Sequence, residues 1–131
     1  MQRRTCLKTL LLAGAGVVTG VMAQTAARPI RLNVDLSVDP AKEQEMLRLF
    51  ETRFRPAAAK QPGFIDLKLL KLRSALMGKA PAGINYRFSL SFESEELRQK
   101  WIATDIHNEL WPMMEATLTT KDYTVLLFEV Y

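Results

Sequence analysis

The run INYRFSLSF, Ile84 to Phe92, constrains this chain more than any other stretch. Ile84, Tyr86, Phe88, Leu90 and Phe92 alternate with Asn85, Arg87, Ser89 and Ser91 without a break. Successive side chains of a strand point to opposite faces, so the pattern specifies a strand with one buried and one wettable side. A second stretch obeys the same rule. Leu32, Val34, Leu36 and Val38 alternate with Arg31, Asn33, Asp35 and Ser37. A sheet that is apolar on one side needs another layer to cover that side.

The covering layer is legible between the strands. Asp39-Pro40 reads as a helix start, with Asp as cap and Pro at the first helical position. Glu43 and Glu45 follow where the helix dipole favours acids. Leu47, Phe50 and Phe54 form a buried stripe. Pro56 predicts a kink or a separate last turn over 57–60, and Pro62-Gly63 ends the helix. Phe64 to Arg73 reads as a second strand. Ile65, Leu67 and Leu69 share one face and Leu70 and Leu72 the other, so the pattern predicts a bulge near Leu69-Leu70. Ser74 to Gly83 is a glycine-containing hairpin loop. Ser94 caps a second helix carrying Leu97 and Trp101, and Thr104-Asp105 offers a further cap. Pro112 lies within or bends the segment beyond it. Tyr123 to Tyr131 is the last strand.

The order is strand, helix, strand, strand, helix, strand. It predicts an α+β fold, the ferredoxin-like βαββαβ sandwich: a four-stranded antiparallel sheet with helices on one face. The last strand is apolar on both sides, with Val125 and Leu127 on one and Leu126, Phe128 and Val130 on the other. Such a strand is a liability at an exposed edge. A homodimer that covers it is therefore expected.

The amino terminus belongs to a different argument. Arg3, Arg4 and Lys8 precede an uncharged Ala/Gly-rich run, Leu10 to Met22, and Val21-Met22-Ala23 suits a signal peptidase. The run is too short and too rich in small residues for a stable membrane anchor. Arg3-Arg4 ahead of Leu7 and Lys8 resembles a twin-arginine export signal of bacteria. The expected division is a signal at 1–23, a tether at 24–29 and one domain at 30–131, delivered to the periplasm or secreted. The 131-residue chain has 18 basic and 14 acidic residues. Three of the basic ones and no acid lie in the signal, which leaves 15 against 14. No basic footprint for nucleic acid survives. Cys6, the one cysteine, leaves with the signal, so the domain has no disulfide and no thiolate. With one histidine and no cysteine it holds no metal cluster.

PGFIDLKLLK (Pro62 to Lys71) and SFESEELRQKWIATDIH (Ser91 to His107), together with the order of elements, resemble the antibiotic biosynthesis monooxygenase family of dimeric α/β-barrel proteins. The resemblance spans nearly all of 30–131. It implies two ferredoxin-like units whose sheets face each other, with a pocket in each between sheet and helices. It also implies chemistry without metal or flavin: the deprotonated substrate supplies the electrons, and the protein supplies a dry pocket and a proton acceptor. The haem-degrading branch expects an Asn, a Trp and a haem-ligating His at positions that fall here on Val34, Phe92 and Trp111. An indole has no nitrogen lone pair for iron, so haem degradation is not expected.

His107 and Trp111 stand four residues apart on one predicted helix, so their side chains should be neighbours. A histidine near neutrality can take a proton from a phenol or hydroquinone, and an indole beside it offers a flat apolar wall. His107 is the candidate catalytic base, at a position where many non-haem members carry a histidine. Trp101, Trp111, Phe92 and Tyr86 are the candidate walls of the substrate pocket. The expected function is an exported, cofactor-independent monooxygenase acting on a small aromatic or quinone-like compound. The rival is a periplasmic dimer, stress-associated or ligand-binding, that holds such a compound without turnover.

Overall fold

The computed structural model describes residues 28–131, so the signal at 1–23 and most of the tether at 24–29 lie outside the described residues. Four strands, β1 (Ile30–Leu36), β2 (Phe64–Lys71), β3 (Tyr86–Phe92) and β4 (Thr124–Glu129), form one sheet in the order β2-β3-β1-β4. Every neighbouring pair is antiparallel. The helical layer comprises a 3₁₀ turn (Pro40–Lys42), α1 (Glu43–Leu49), a π-helical turn (Phe50–Phe54), α2 (Arg55–Ala59), α3 (Glu95–Ile102) and α4 (Asp105–Glu115). This is the ferredoxin-like sandwich that the periodicities specify.

The alternating strands fill the centre of the sheet. Val34 faces Phe88 and Leu32 faces Leu90 across the β1–β3 ladder. Val34, Phe88 and Leu90 form one buried core with Met46, Leu49, Phe50 and Phe54 from the helical layer, and Leu32 packs against it. The reverse side is polar at its centre. Asp35 and Arg87 are cross-strand partners, and the guanidinium grips the carboxylate through Nε at 2.6 Å and Nη2 at 3.1 Å. Arg31 donates to Ser89 Oγ, which donates to Asn33.

Local chemistry explains the helix boundaries. Asp39 accepts from the Ala41 amide, and Pro40 opens the first turn. Pro56 has no N–H for the carbonyl of residue 52. The chain widens just before it: the Arg55 amide reaches back five residues to Phe50 O, and the helix resumes beyond. Pro62-Gly63 closes this layer, with Gly63 at φ +82°. The left-handed backbone there favours glycine, and a Cβ would also press on the Leu97 side chain.

Two expectations need correction. The β2 bulge lies at Ile65, where the register shifts between Phe64 and Asp66, and not at Leu69-Leu70. Phe64 therefore faces the core and Ile65 is exposed. Leu70 and Leu72 are half-exposed on the open side, so their apolar phase marks a surface patch and not a slip in register. The second strand ends at Lys71 rather than Arg73. β4 occupies the outer edge, next to β1. Val125, Leu126, Leu127 and Phe128 are each 47–49% exposed in the single chain.

Candidate functional site

The second helical stretch is two helices joined by one hydroxyl. Ser94 caps α3 by accepting from the Leu97 amide. Thr104 then ends α3 and starts α4. Its Oγ1 donates to the Trp101 carbonyl at 2.7 Å and accepts from the His107 amide at 3.2 Å. The turn brings the Trp101 and His107 rings together edge to face, with centroids 5.0 Å apart. His107 and Trp111, one turn apart on α4, lie parallel and offset, with 8° between planes and 6.2 Å between centroids. Phe54 meets His107, Trp101 and Trp111 edge-on at 5.8–6.1 Å.

These rings roof a cavity of about 140 Å³ between helices and sheet. Leu32, Val34, Phe88 and Leu90 form its floor, and Ile102, Tyr123 and Val125 border it toward β4. The wall is almost wholly carbon. Trp111 Nε1 donates to Tyr123 Oη at 2.9 Å, and Tyr123 donates to Glu115 at 2.7 Å. Indole and phenol are thus held in place with their polar atoms already occupied. Burial pushes the Tyr123 phenol up, the bond to Glu115 adds to this, and the Trp111 donation opposes it.

His107 is different. Its Nδ1 is buried and has no hydrogen-bond partner. An orphaned buried polar atom is uncommon in native proteins and costs about 1–3 kcal/mol. Desolvation pulls the imidazole below its ordinary 6.5, and the Arg98 guanidinium pulls the same way. Arg98 is itself held by Glu95 through two bonds of 2.6 and 2.7 Å. The ring is consequently neutral at pH 7. In the tautomer with the proton on Nε2, Nδ1 keeps a lone pair that is sealed within the packing and not open to the cavity.

The cavity gathers three of the five residues singled out in the sequence: His107, Trp101 and Trp111. It does not include Phe92 or Tyr86. Phe92 is fully buried and packs edge-on against Phe64 at 6.1 Å. Tyr86 donates to Glu43 Oε2 at 2.5 Å, and that oxygen also receives Lys71 Nζ at 2.7 Å. Burial and the bond to Glu43 push the Tyr86 phenol up to about 12. Both residues lie on the helix-facing side, as their alternation requires, but at the two ends of β3. The cavity sits under its middle, which made Phe88 and Leu90 the better reading. Tyr123 and Phe54 were also missed. Phe54 was legible as core, and only the fold turns core into cavity wall. Among the described residues, no group of three or more His, Cys, Asp or Glu side chains could hold a metal ion.

No family model matches the chain. No curated protein matches it either. Solved structures do match, and they show the fold: it is the ferredoxin-like one shared with antibiotic biosynthesis monooxygenase-type proteins. A candidate antibiotic biosynthesis monooxygenase from Caulobacter crescentus is 21% identical, with 80% of this chain and 92% of that chain covered and a TM-score of 0.64. SnoaB, a cofactor-independent oxygenase from Streptomyces nogalater, is 21% identical in a point-mutant form, with 79% and 94% covered and a TM-score of 0.61. The hydroxynitrile lyase of Passiflora edulis is 10% identical, with 80% and 95% covered and a TM-score of 0.66. An oxygenase and a lyase share the scaffold to similar degrees, so the fold alone does not choose a reaction.

Proposed function

We propose that this chain is a cofactor-independent oxygenase of small phenolic or quinol-type compounds, with His107 as the base. One observation carries the reading: a desolvated imidazole lining an apolar cavity walled by two indoles. The hydroxyl of a bound hydroquinone donates to the His107 imidazole, which takes the proton as electron density moves to O₂. One oxygen atom enters the ring and the other leaves as water, so hydroquinone and O₂ give hydroxyquinone and water. All the reducing electrons come from the substrate. A positioned general base contributes about 10²–10⁴-fold. Desolvation makes His107 a weak proton holder, which suits it to returning the proton when water forms. The likeness to SnoaB agrees with this chemistry.

The test is oxygen uptake with a panel of hydroquinones and anthrones. We expect turnover that falls by at least about 10²-fold in His107→Ala. Unchanged turnover in that variant would remove His107 from the mechanism. Ligand binding without oxygen uptake would leave a binding protein.

In this reading the working form is an exported homodimer. The apolar edge strand supports the dimer, because Leu126 and Phe128 on the open side have no cover in the single chain. Sedimentation should show a dimer that Phe128→Glu dissociates. Arg3-Arg4 and the run that follows support export, which a reporter fused behind residues 1–29 would test.

A further inference from the structure

We propose that the loop between β2 and β3 docks the protein on an anionic phospholipid bilayer: its apolar tip, Leu76-Met77, enters the lipid surface while Arg73 and Lys79 meet the phosphates. Nothing in this depends on the cavity or on turnover.

Placement is the first ground. β2 ends at Lys71 and β3 begins at Tyr86. The base between them is tied down. The Leu72 amide donates to the Asn85 carbonyl. The Asn85 side chain clasps Val38, accepting from its amide and donating to its carbonyl, each at 2.8 Å. Beyond that base the chain projects. Leu76 is 97% exposed and Met77 94%. Gly78, at φ +73°, turns the chain back, and a Cβ there would meet nothing within 4 Å. A lone exposed leucine is ordinary. Two large apolar side chains, adjacent at the tip of a loop with a held base and almost wholly in water, form a surface that calls for a cover.

Charge selects the cover. From Leu67 to Phe92 the sequence carries Lys68, Lys71, Arg73, Lys79 and Arg87 and no acid. Lys68, Lys71 and Arg87 are answered by Asp66, Glu43 and Asp35. Arg73 and Lys79, which flank the tip, are exposed and enter no ion pair among the described residues. The cover must therefore offer apolar depth beneath a layer of negative charge. An anionic bilayer has that order, with phosphates outside and acyl chains within. A second copy of the tip would set the same two cations against these, and like charges repel. A neutral apolar groove would leave both cations unused.

Co-sedimentation with lipid vesicles tests this. The chain is used without residues 1–23, whose apolar run has an affinity of its own for lipid; every strand, helix and core contact described above lies beyond them. Binding to phosphatidylcholine vesicles that contain about one-third phosphatidylglycerol should exceed binding to pure phosphatidylcholine by about tenfold or more, since each cation near an anionic surface is worth roughly fivefold. Added salt should weaken it. Leu76→Ser combined with Met77→Ser should cut binding to the anionic vesicles at least about tenfold. Arg73→Glu combined with Lys79→Glu should erase the preference for them. All four side chains are exposed, so both variants should keep the wild-type melting temperature. Equal binding to the two vesicles, binding unchanged in the serine variant, or no binding to either vesicle would overturn the proposal. A self-associated form, seen by sedimentation without lipid and dissolved by the serine variant alone, would assign the tip to a second copy of the chain and overturn it as well.

Discussion

The ends and the middle of β3 present the same kinds of residue to the same helical layer, yet they are finished differently. At one end Tyr86 is buried with its hydroxyl on Glu43, and at the other Phe92 is buried against Phe64. In the middle, Phe88 and Leu90 look into open space roofed by Trp111, Trp101 and His107, and one ring nitrogen is unpaired. The ends are optimised for stability. The middle forgoes stability that the same volume of aliphatic side chain would supply. A local departure from close packing of that kind is where a site is to be sought first.

The largest break in this comparison should come from Phe92→Ala. It removes a fully packed ring and should lower the unfolding free energy by about 3–5 kcal/mol in urea melts, without altering ligand affinity per folded molecule. The middle should respond with the opposite sign. His107→Leu deletes the orphaned nitrogen and fills space, so we expect a gain of about 1–3 kcal/mol together with loss of phenol binding. A clear loss of stability there would show that the imidazole is an ordinary structural element. Tyr86→Phe returns the contrast to the sealed end. It removes one hydrogen bond while Lys71 still holds Glu43, and should cost about 0.5–1.5 kcal/mol with binding intact.

The smallest effect is in pH. The folded His107 binds its proton below 6.5 because burial, and then Arg98, disfavour the cation. The unfolded chain takes that proton near 6.5, so the unfolded state holds more protons below this point. Stability should be complete above pH 6.5 and decline as the pH falls through it. The carboxylates Glu43, Asp66 and Glu95 are held low by Lys71, Lys68 and Arg98 respectively, and their contribution is lost only at more acid pH, below their ordinary values of 3.8–4.5. Thermal melts across pH 5–7 should show a shallow slope in the wild type that vanishes in His107→Leu. A slope that persists in the variant would assign it to another group.

The fold was readable because alternation and capping are local signals. The run 84–92 declared its own face, and Ser94 and Thr104 declared helix starts that the structure keeps. The β2 bulge was misplaced because hydrophobicity alone cannot distinguish an open-side apolar patch at Leu70 and Leu72 from a change of register. The site was half readable for a related reason. Spacing by four residues pairs His107 with Trp111, and this needs no tertiary knowledge. Choosing among Tyr86, Phe88, Leu90 and Phe92 needs the lateral position of the helices over the strand, which no single element encodes. Tyr123 enters through a bond to Trp111 from twelve residues away across the fold's last turn.

The wide turn at Phe50–Phe54 gives this chain an unusual intolerance. Each helical residue advances the viewing direction by about 100°. Met46 and Leu49 before the turn and Ala58 after it all reach the core only because the turn absorbs one extra residue. Glu51, Thr52 and Arg53 are exposed and free to vary in kind. Deleting one of them would let the turn tighten to an α-helical one with Phe54 kept on its face, whereas inserting a further residue would leave nothing to absorb it and would swing Phe54 out of the aromatic roof. Identity drifts easily on that surface; added length does not.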